Sequence, residues 1–299
     1  MKKKYLLVIV GPTAIGKTDI SIKIAKQLNT EIISCDSRQF YKELLIGSAP
    51  PSKKQLSTIK HHFIHNKSIN EDYSAGIFEN DAINTIQDIH KKNKSVIAVG
   101  GSGLYIDALC NGFNKIPIIP DNIRQKTIIK FEQNGLLWLQ EEVKKIDPFF
   151  FNNCDKKNPR RLLRALETYY ATGEKLSSLR TKTLKKRPFK IIKIGLEIKR
   201  DILYQKINLR VDQMIKNGLL DEVKSLIPFK NNNALNTVGY KEIFDFYNKK
   251  HTLEESIENI KKNTRRLAKR QITWFKKDQT IKWFHPNQIN EINDFILKW

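Results

Sequence analysis

Apolar residues in the first hundred positions form short runs that alternate with stretches of helical spacing. Residues 4–10 are a continuous apolar run rich in β-forming residues, which predicts a buried strand. Residues 16–28 carry apolar positions at helical spacing, and residues 31–35 return to a strand pattern. A long helical pattern over 75–92 and a third strand pattern over 95–99 continue the series. Strands that alternate with helices indicate βαβ units and a parallel sheet.

The pattern changes near Pro120. From there to residue 171 the chain carries helical patterns, over 122–134, 136–146 and 158–171, and no strand pattern. We therefore predict an α/β protein, a parallel sheet flanked by helices, with an all-helical insertion domain. The predicted parts are a first part of the core at 1–119, the helical insertion at 120–188, and a core continuation at 189–299 with strands at 189–198 and 280–284 and basic C-terminal helices.

Composition excludes several classes of protein. With 299 residues, 40% hydrophobic and 28% charged, the chain is not disordered as a whole. No apolar run approaches the roughly 18 residues of a membrane span, so we expect no membrane association. The basic start resembles a signal peptide, but its apolar run is short and meets Gly11-Pro12. The chain has three cysteines, Cys35, Cys110 and Cys154, and no CxxC pair. This argues against disulfides or a zinc site and predicts a cytoplasmic protein.

The charge of the chain is strongly positive. Lys and Arg number 54 against 31 Asp and Glu, a formal net charge of +23. A field of this sign attracts polyanions, and nucleic acid is the first candidate. The alternative is a lysine-rich composition spread over solvated faces, because lysines far outnumber arginines.

A phosphate-binding motif, GxxxxGK[ST], lies between the first predicted strand and the first predicted helix. Its residues are Gly11, Pro12, Thr13, Ala14, Ile15, Gly16, Lys17 and Thr18. Glycines let backbone N–H groups surround a phosphate, and the helix N-terminus adds a positive dipole. Lys17 adds a charge and the Thr18 hydroxyl can hold Mg²⁺. The motif predicts a P-loop NTPase-like core that binds a nucleotide such as ATP or another phosphate compound.

The acid at a strand end is in an unusual place. The strand over 95–99 runs into Gly100-Gly101-Ser102-Gly103, without the acid that an ATPase or GTPase usually places there. Instead Asp36 follows the second strand and is itself followed by Ser37, Arg38 and Gln39. A carboxylate, a hydroxyl, a guanidinium and an amide in succession suit reading a nucleobase edge or positioning a nucleophile. The alternative for Asp36 is an N-cap before a polar loop.

Several motifs occur in a fixed order from one end of the chain to the other. They are the phosphate loop, Asp36-Ser-Arg-Gln39 with Tyr41, Ile46-Gly-Ser-Ala49, Gly100-Gly-Ser-Gly-Leu-Tyr105, Pro159-Arg-Arg-Leu-Leu-Arg-Ala-Leu-Glu167, Val238-Gly-Tyr240 and Leu267-Ala-Lys-Arg-Gln-Ile-Thr-Trp-Phe275. In this ordered set the chain resembles the bacterial tRNA dimethylallyltransferases, also called tRNA isopentenyltransferases.

The resemblance implies a reaction and roles for individual residues. The reaction is transfer of a dimethylallyl group from dimethylallyl diphosphate to N6 of an adenine next to the tRNA anticodon (position 37), with Mg²⁺ and release of pyrophosphate. The family pattern assigns Asp36 as general base and Ser102 as a hydroxyl near the reacting amine, where threonine is more common. It implies that Arg210 contacts the diphosphate. The alternative for Arg210 is a surface ion pair with Asp212 or Glu222.

The resemblance also implies that the anticodon stem-loop is bound, by a protein that we expect to be a monomer. The tRNA contacts that it places on this chain are Asp36, Ser37, Arg38, Gln39, Ser102, Arg124, Arg160, Arg161, Leu162, Leu163, Arg164, Val238, Gly239, Tyr240, Lys241, Lys269, Arg270, Gln271, Thr273, Trp274 and Lys276. Most of the arginines of the chain lie in or beside these segments.

A basic helix near the C-terminus gives this expectation a physical form. Lys262, Arg266, Lys269 and Thr273 share one face by i, i+3 and i+4 spacing. A continuous basic face fits a phosphate backbone, and a simply solvated face is the alternative.

The chain departs from the family pattern in places. Many relatives have a lysine after Gly-Thr-Ala, whereas this chain has Pro50 after Gly47-Ser48-Ala49, and Lys241 stands where arginine is common. Three histidines near one another are not predicted to bind metal: His61, His62 and His65.

Two other functions remain open from the residues. A phosphotransferase of the nucleoside-kinase type would use the same loop with ATP, but it does not explain the basic C-terminal helix. An RNA-binding, GTPase-like switch would need a guanine-selective Asn/Thr-Lys-x-Asp motif, which we do not find convincingly.

Overall fold

The computed structural model of the chain describes residues 4–112, 119–180 and 185–299. The chain divides into two compact units. One comprises Met1–Cys110 and Arg187–Trp299, and the other is Asn111–Lys186. The sequence predicted a helical insertion at 120–188, and the second unit begins before that range and ends within it.

The first unit contains a parallel sheet. Its strands are β1 Tyr5–Val10, β2 Ile32–Ser34, β3 His61–His62, β4 Ser95–Gly100, β5 Lys190–Leu196 and β6 Lys282–Phe284. Their spatial order is β3-β2-β4-β1-β5-β6, and every pairing is parallel. Val10 lies in register with Gly100 and Gly195, so β1, β4 and β5 end at one edge of the sheet. In open α/β sheets, ligands bind at this carboxyl edge.

Helices account for most of the remaining regular structure. In chain order they are α1 Lys17–Gln27, α2 Lys53–Thr58, α3 Ala75–Lys92, α4 Gly103–Asn111, α5 Asp121–Ile146, α6 Pro148–Asn153, α7 Pro159–Thr172, α8 Leu176–Leu179, α9 Arg200–Lys216, α10 Leu219–Ser225, α11 Tyr240–Tyr247, α12 Leu253–Phe275 and α13 Ile289–Leu297. The predicted α/β fold class is confirmed.

The two faces of the sheet bury two different cores because side chains alternate along a strand. On β1, Leu6, Val8 and Val10 join a core that includes residues of α3. Leu7 and Ile9 join a core that includes residues of α1 and α9. Both faces are therefore apolar, which is typical of a parallel sheet covered by helices on each side.

A third core cluster in the first unit brings together α9 to α12 and the loop after β2. Its fully buried side chains include Leu44, Leu219, Tyr240 and Ile243. This cluster fixes the loop over 41–49 against the helices that follow β5, which matters for the site described below.

The second unit has a core of its own. Leu139 and Val143 of α5 pack with Phe150 of α6 and with Leu162 and Leu166 of α7. Helix α5 is interrupted at Gly135, whose backbone has φ 75° and ψ −172°. The interruption agrees with the two separate helical patterns predicted over 122–134 and 136–146.

Short elements are where the sequence prediction was incomplete. It missed α2, α4 and the two-residue strand β3. The predicted N-cap of α3 is confirmed, because Ser74 Oγ accepts a hydrogen bond from Ile77 N at 3.3 Å. Asn158 stands at the N-cap position of α7, but its side chain makes no capping hydrogen bond within the described part of the chain. In the same residues, no helix has the length and apolar character needed to cross a bilayer.

Candidate active site

The phosphate loop joins the carboxyl end of β1 to the first turn of α1. Its path needs backbone conformations in the left-handed region, with φ 64° at Ala14 and φ 96° at Gly16. Gly11 has φ 151°, and a Cβ there would lie 2.9 Å from the Leu196 carbonyl oxygen, so a side chain would not fit. Among the described residues, no side chain caps the N-terminus of α1. Its amides are therefore available to an anion.

Lys17 is drawn into the loop that precedes it. Its Nζ donates to the carbonyl oxygens of Gly11, at 3.0 Å, and Pro12, at 2.8 Å. Burial lowers the pKa of Lys17 to about 8, although the nearby Asp36 acts in the opposite direction. Arg210 is close enough to lower this pKa further. An ammonium held at such a cost is suited to accepting an anionic partner.

Asp36 lies two residues beyond β2, near the carboxyl edge of the sheet. Its Oδ1 accepts a hydrogen bond from Arg38 N at 3.0 Å. The residues that follow form turns and no helix begins there. Asp36 is therefore not the N-cap of a helix. The charge of Asp36 acts on both Lys17 and Arg210. Asp36, Lys17 and Arg210 therefore lie close together.

Ser102 connects the ends of β2 and β4. Its Oγ accepts from Ser37 N at 3.1 Å and donates to Ser37 Oγ at 3.3 Å. The predicted hydroxyl at 102 therefore lies next to the segment that carries Asp36.

Arg210 projects from α9 into the same region. Nη1 donates to Thr13 Oγ1 and Nη2 donates to the Ala49 carbonyl oxygen, both at 3.2 Å. Burial lowers the pKa of Arg210. The surface ion-pair alternative is wrong: Asp212 pairs with Lys261 at 2.9 Å, and Glu222 accepts backbone hydrogen bonds elsewhere.

Part of the phosphate loop, Asp36 and Arg210 line a cavity of about 480 Å³, which we call the phosphate cavity. A smaller cavity of about 100 Å³ adjoins it, with a mixed lining that includes the apolar residues Val211, Met214 and Leu267. The residues that line both cavities are Thr13, Asp36, Ser48, Ala49, Arg210 and Gln271. Asp36 thus stands between the cavity at the phosphate loop and a second, more apolar cavity.

Gln271 of α12 completes the partition between the cavities. Its Oε1 accepts from Thr13 N at 2.8 Å and its Nε2 donates to the Gly101 carbonyl oxygen at 3.0 Å. A Cβ on Gly101 would lie 2.4 Å from Gln271 Nε2, so the amide of Gln271 would have to shift to make room for a side chain there. The sequence indicates Gln271 only as a tRNA contact, and its link to the phosphate loop is visible only in the structure.

Comparison with known proteins shows the family of this chain. A family model described as IPP transferase matches residues 39–278. The chain belongs to the IPP transferase family. A tRNA dimethylallyltransferase of Christiangramia forsetii is 50% identical over 98% of this chain and 97% of that protein.

Solved structures of IPP transferases agree with the fold. The full-length tRNA isopentenylpyrophosphate transferase of Bacillus halodurans is 37% identical, with a TM-score of 0.74 over 99% of this chain and 96% of that one. A eukaryotic dimethylallyltransferase acting on tRNA is 30% identical, with a TM-score of 0.81 over 99% of this chain and 80% of that one. The family predicted from the ordered motifs is confirmed.

The basic face of α12 is exposed in this IPP transferase. Lys262, Arg266, Lys269 and Thr273 are all exposed, as is Arg270. Some other basic residues at this end of the chain are engaged by neighbouring groups.

Two examples show that engagement. Lys276 Nζ lies 2.6 Å from Glu197 Oε2 and 4.1 Å from the centre of the Trp283 ring. Arg265 Nη1 donates to Asn208 Oδ1 at 2.7 Å. Lys276 and Arg265 are thus each held by neighbouring side chains, and the residues on the face that the spacing predicted are exposed.

Trp274 packs against the start of α4. Its Nε1 donates to Asp107 Oδ2 at 3.0 Å, and burial raises the pKa of Asp107. A Cβ on Gly103 would lie 2.5 Å from Trp274 Cδ1. The indole remains 38% exposed, so part of it is accessible to a base or a ribose.

The turn over 238–241 contains both buried and exposed residues. Gly239, with φ 98°, precedes α11, and Glu242 Oε2 accepts from its N at 2.8 Å. Tyr240 is fully buried and its hydroxyl donates to Glu222 Oε1 at 2.6 Å. Its ring is therefore core packing and not a surface for stacking a base, whereas Lys241 is exposed.

The candidate tRNA contacts of the second unit lie on α5 and α7. Arg160 and Arg161 are exposed, and Arg124 and Arg164 form loose pairs with Asp121 and Glu167 at 3.7 and 4.0 Å. Leu162 is fully buried in the core of this unit, so its side chain cannot contact RNA in this conformation, while Leu163 is half-buried.

The histidines near β3 have separate surroundings. His62 Nε2 lies 2.5 Å from Glu31 Oε2. His61 lines the larger cavity, and its Nδ1 is 2.8 Å from the Ile59 carbonyl oxygen.

Proposed function

We propose that this protein transfers a dimethylallyl group from dimethylallyl diphosphate to N6 of adenine 37 in tRNA, releasing pyrophosphate. The observation that carries the proposal is the position of Asp36, in the wall shared by the phosphate cavity and the smaller, more apolar cavity beside it. An alkyl donor with a diphosphate head and an acceptor amine need such adjoining pockets.

The phosphate cavity suits the leaving group. Free amides at the start of α1, together with Lys17 and Arg210, offer positive charge where charge develops on the departing oxygens. Since the arginine is held by Thr13 and Ala49 before substrate arrives, little reorganisation is needed on binding.

The acid suits the acceptor. An exocyclic adenine amine is a weak nucleophile, and a positioned carboxylate helps by accepting its proton. N6 attacks the first carbon of the dimethylallyl group, the carbon–oxygen bond to the diphosphate breaks with its electron pair staying on pyrophosphate, and the N6 proton passes to Asp36. Ser102, bonded to Ser37 beside this acid, can hydrogen-bond near the amine.

The donor set of the site fits Mg²⁺ bound together with the diphosphate. Among the described residues, no group of three acidic, histidine or cysteine side chains could hold a metal alone. The Thr18 hydroxyl lines the phosphate cavity, and Mg²⁺ in phosphate sites commonly uses one or two protein oxygens with phosphate oxygens and water. Thr18 would hold the ion, which would supply charge neutralisation of the leaving pyrophosphate.

The tRNA would be held by positive charge. The exposed face of α12 and the arginines of α5 and α7 suit an RNA backbone. Because the acid lies in a cavity wall, the target adenine must leave the anticodon stack to reach it. We propose that the protein acts as a monomer in the cytoplasm.

One experiment separates this function from a phosphotransferase. Purified protein is incubated with Mg²⁺, unmodified tRNA and dimethylallyl diphosphate labelled in the dimethylallyl group, with and without ATP. We expect label in RNA without ATP, and none in a transcript with guanine at position 37. Label that stays out of RNA, or phosphate that moves from ATP to a nucleoside, would contradict the proposal.

A further inference from the structure

Glu222 of α10 accepts three hydrogen bonds from two distant parts of the chain. Its Oε2 accepts from Ile46 N at 2.6 Å, and its Oε1 accepts from Gly47 N at 3.0 Å and from Tyr240 OH at 2.6 Å. Hydrogen bonds to an ionised acceptor are stronger than neutral ones. A single carboxylate thus joins α10, α11 and the loop over 46–49.

The ring of Tyr240 holds the same loop from a second side. A Cβ on Gly47 would lie 2.5 Å from the Tyr240 ring, so the backbone passes directly against it. Ser48 Oγ also donates to the Leu44 carbonyl oxygen at 2.6 Å. The loop therefore has little freedom to move as long as Glu222 and Tyr240 are in place.

What this loop presents to the site is the Ala49 carbonyl oxygen. It accepts from Arg210 Nη2 at 3.2 Å and from Gln39 Nε2 at 3.1 Å. The other end of the guanidinium donates to Thr13 of the phosphate loop. The direction of the guanidinium is thus set by one phosphate-loop hydroxyl and one carbonyl of the 46–49 loop.

We propose that Glu222 is a positioning residue for diphosphate binding. It fixes the 46–49 loop, the loop fixes the Ala49 carbonyl, and that carbonyl orients Arg210 towards the phosphate cavity. Glu222 contacts no substrate in this scheme. The inference rests on the proposed role of Arg210 at the diphosphate.

The test is a double-mutant cycle with inorganic pyrophosphate as the probe. Glu222→Gln keeps the shape of the side chain but turns an amide N–H₂ towards a backbone or hydroxyl donor, which loosens the loop. We expect it to weaken pyrophosphate binding about tenfold. A tenfold loss of affinity corresponds to the free energy of about one charge-assisted hydrogen bond. In an Arg210→Ala background, the same change should weaken binding less than about twofold, because residues that act through one another are not additive.

Two further variants serve as a charge control and as a second double-mutant cycle. Asp221→Asn removes the same charge from the exposed neighbouring position and should leave pyrophosphate affinity unchanged. Tyr240→Phe removes one of the three hydrogen bonds and keeps both backbone bonds. We expect a loss of about twofold to threefold that also disappears in the Arg210→Ala background. If Glu222→Gln does not fold, this second cycle decides the question.

The outcomes distinguish the inference from the proposed function. If Glu222→Gln, or Tyr240→Phe in its place, weakens binding equally in both backgrounds, Glu222 acts on stability or elsewhere and the inference is wrong. Unchanged affinity in the Arg210-containing background has the same consequence. If Arg210→Ala itself leaves pyrophosphate affinity unchanged, the proposed role of Arg210 fails first.

Discussion

Asp36 lies beside one backbone N–H donor and two cationic side chains. One oxygen accepts the backbone N–H of Arg38, and the charges of Lys17 and Arg210 act on the same group. A carboxylate in this position can attract the two cations that we propose bind the diphosphate, and it can also take a proton from an incoming amine. Substitution separates these two roles, because an amide keeps the shape and loses the basicity.

Asp36→Asn should lower turnover by about 10²-fold or more, the usual effect of losing a general base. We expect the tRNA dissociation constant to change by no more than a few-fold, since the amide can still hydrogen-bond. Single-turnover rates with labelled donor and filter binding of tRNA measure the two effects.

The matched control for Asp36 is Asp19→Asn, another carboxylate in the wall of the phosphate cavity. Asp19 lies in the first turn of α1 and accepts from Gln55 Nε2 at 2.8 Å. Its loss should reduce turnover far less. Similar losses in the two variants would mean that negative charge in the cavity, and not a base at position 36, is what the reaction needs.

The lowered pKa of Lys17 predicts that diphosphate binding depends on pH. Burial lowers its pKa to about 8 in the free protein, so the side chain is an ammonium below that pH and a neutral amine above it. Because an anion needs the ammonium, pyrophosphate affinity should fall by up to about tenfold for each pH unit above 8. Calorimetry between pH 7 and pH 10 measures this.

Lys17→Arg is the control for the pH profile, since a guanidinium stays charged throughout the range. We expect weaker binding at every pH because the geometry changes, but no fall above pH 8. A wild-type profile that is flat to pH 10 would show that Lys17 keeps its proton in the free protein.

At the scale of elements, α12 combines a basic outer face with a residue that reaches the phosphate loop. Neutralising Lys269 and Arg270 to Gln should weaken tRNA binding and make the plot of log K against log salt shallower by about one to two units, since each lost phosphate contact removes roughly one. Binding measured at several salt concentrations gives this slope.

The control for α12 is the pair Lys91→Gln and Lys92→Gln at the end of α3, which removes the same charge from exposed positions. These changes should leave the slope within error of the wild type. An unchanged slope for the α12 variant would remove that helix from the tRNA interface.

What the sequence could predict depended on how local the signal was. The first strand, the phosphate loop and α1 were predictable because one continuous stretch carries the pattern and the motif. The two residues of β3 carry no periodicity of their own, and they form a strand only because β2 offers an edge.

Site residues divide in the same way. Asp36 and Ser102 could be proposed from strand ends and family motifs, and the structure brings them together. The link between Gln271 and Thr13 joins residues 258 positions apart, and Glu222 reaches the 46–49 loop across 176 positions. No short sequence window contains such a pair, so those roles needed the folded chain.

At the scale of the whole molecule, the second unit is inserted into the first at a single place. Lys185 N donates to the Asn111 carbonyl oxygen at 2.9 Å, so the two ends of the insertion meet. Its core contains Leu139, Val143 and Leu166, which are fully buried within the unit. A unit with adjoining ends and its own core is one that a chain can lose without losing the rest of its fold.

Replacing residues 112–184 by a short Gly-Ser linker should therefore leave a folded protein that still binds pyrophosphate, within about threefold of the full chain, because the groups around that cavity belong to the first unit. Its tRNA affinity should fall by at least about tenfold, since the basic residues of α5 and α7 leave with the insertion. Urea unfolding, calorimetry and filter binding measure folding, pyrophosphate affinity and tRNA affinity in turn.

The control is a full-length variant with four arginines changed to Gln, which shows whether charge alone accounts for the loss of tRNA affinity: Arg124, Arg160, Arg161 and Arg164. If the shortened protein folds but binds no pyrophosphate, the phosphate cavity depends on the insertion; if it binds tRNA as well as the full chain does, the arginines of α5 and α7 are not part of the tRNA interface.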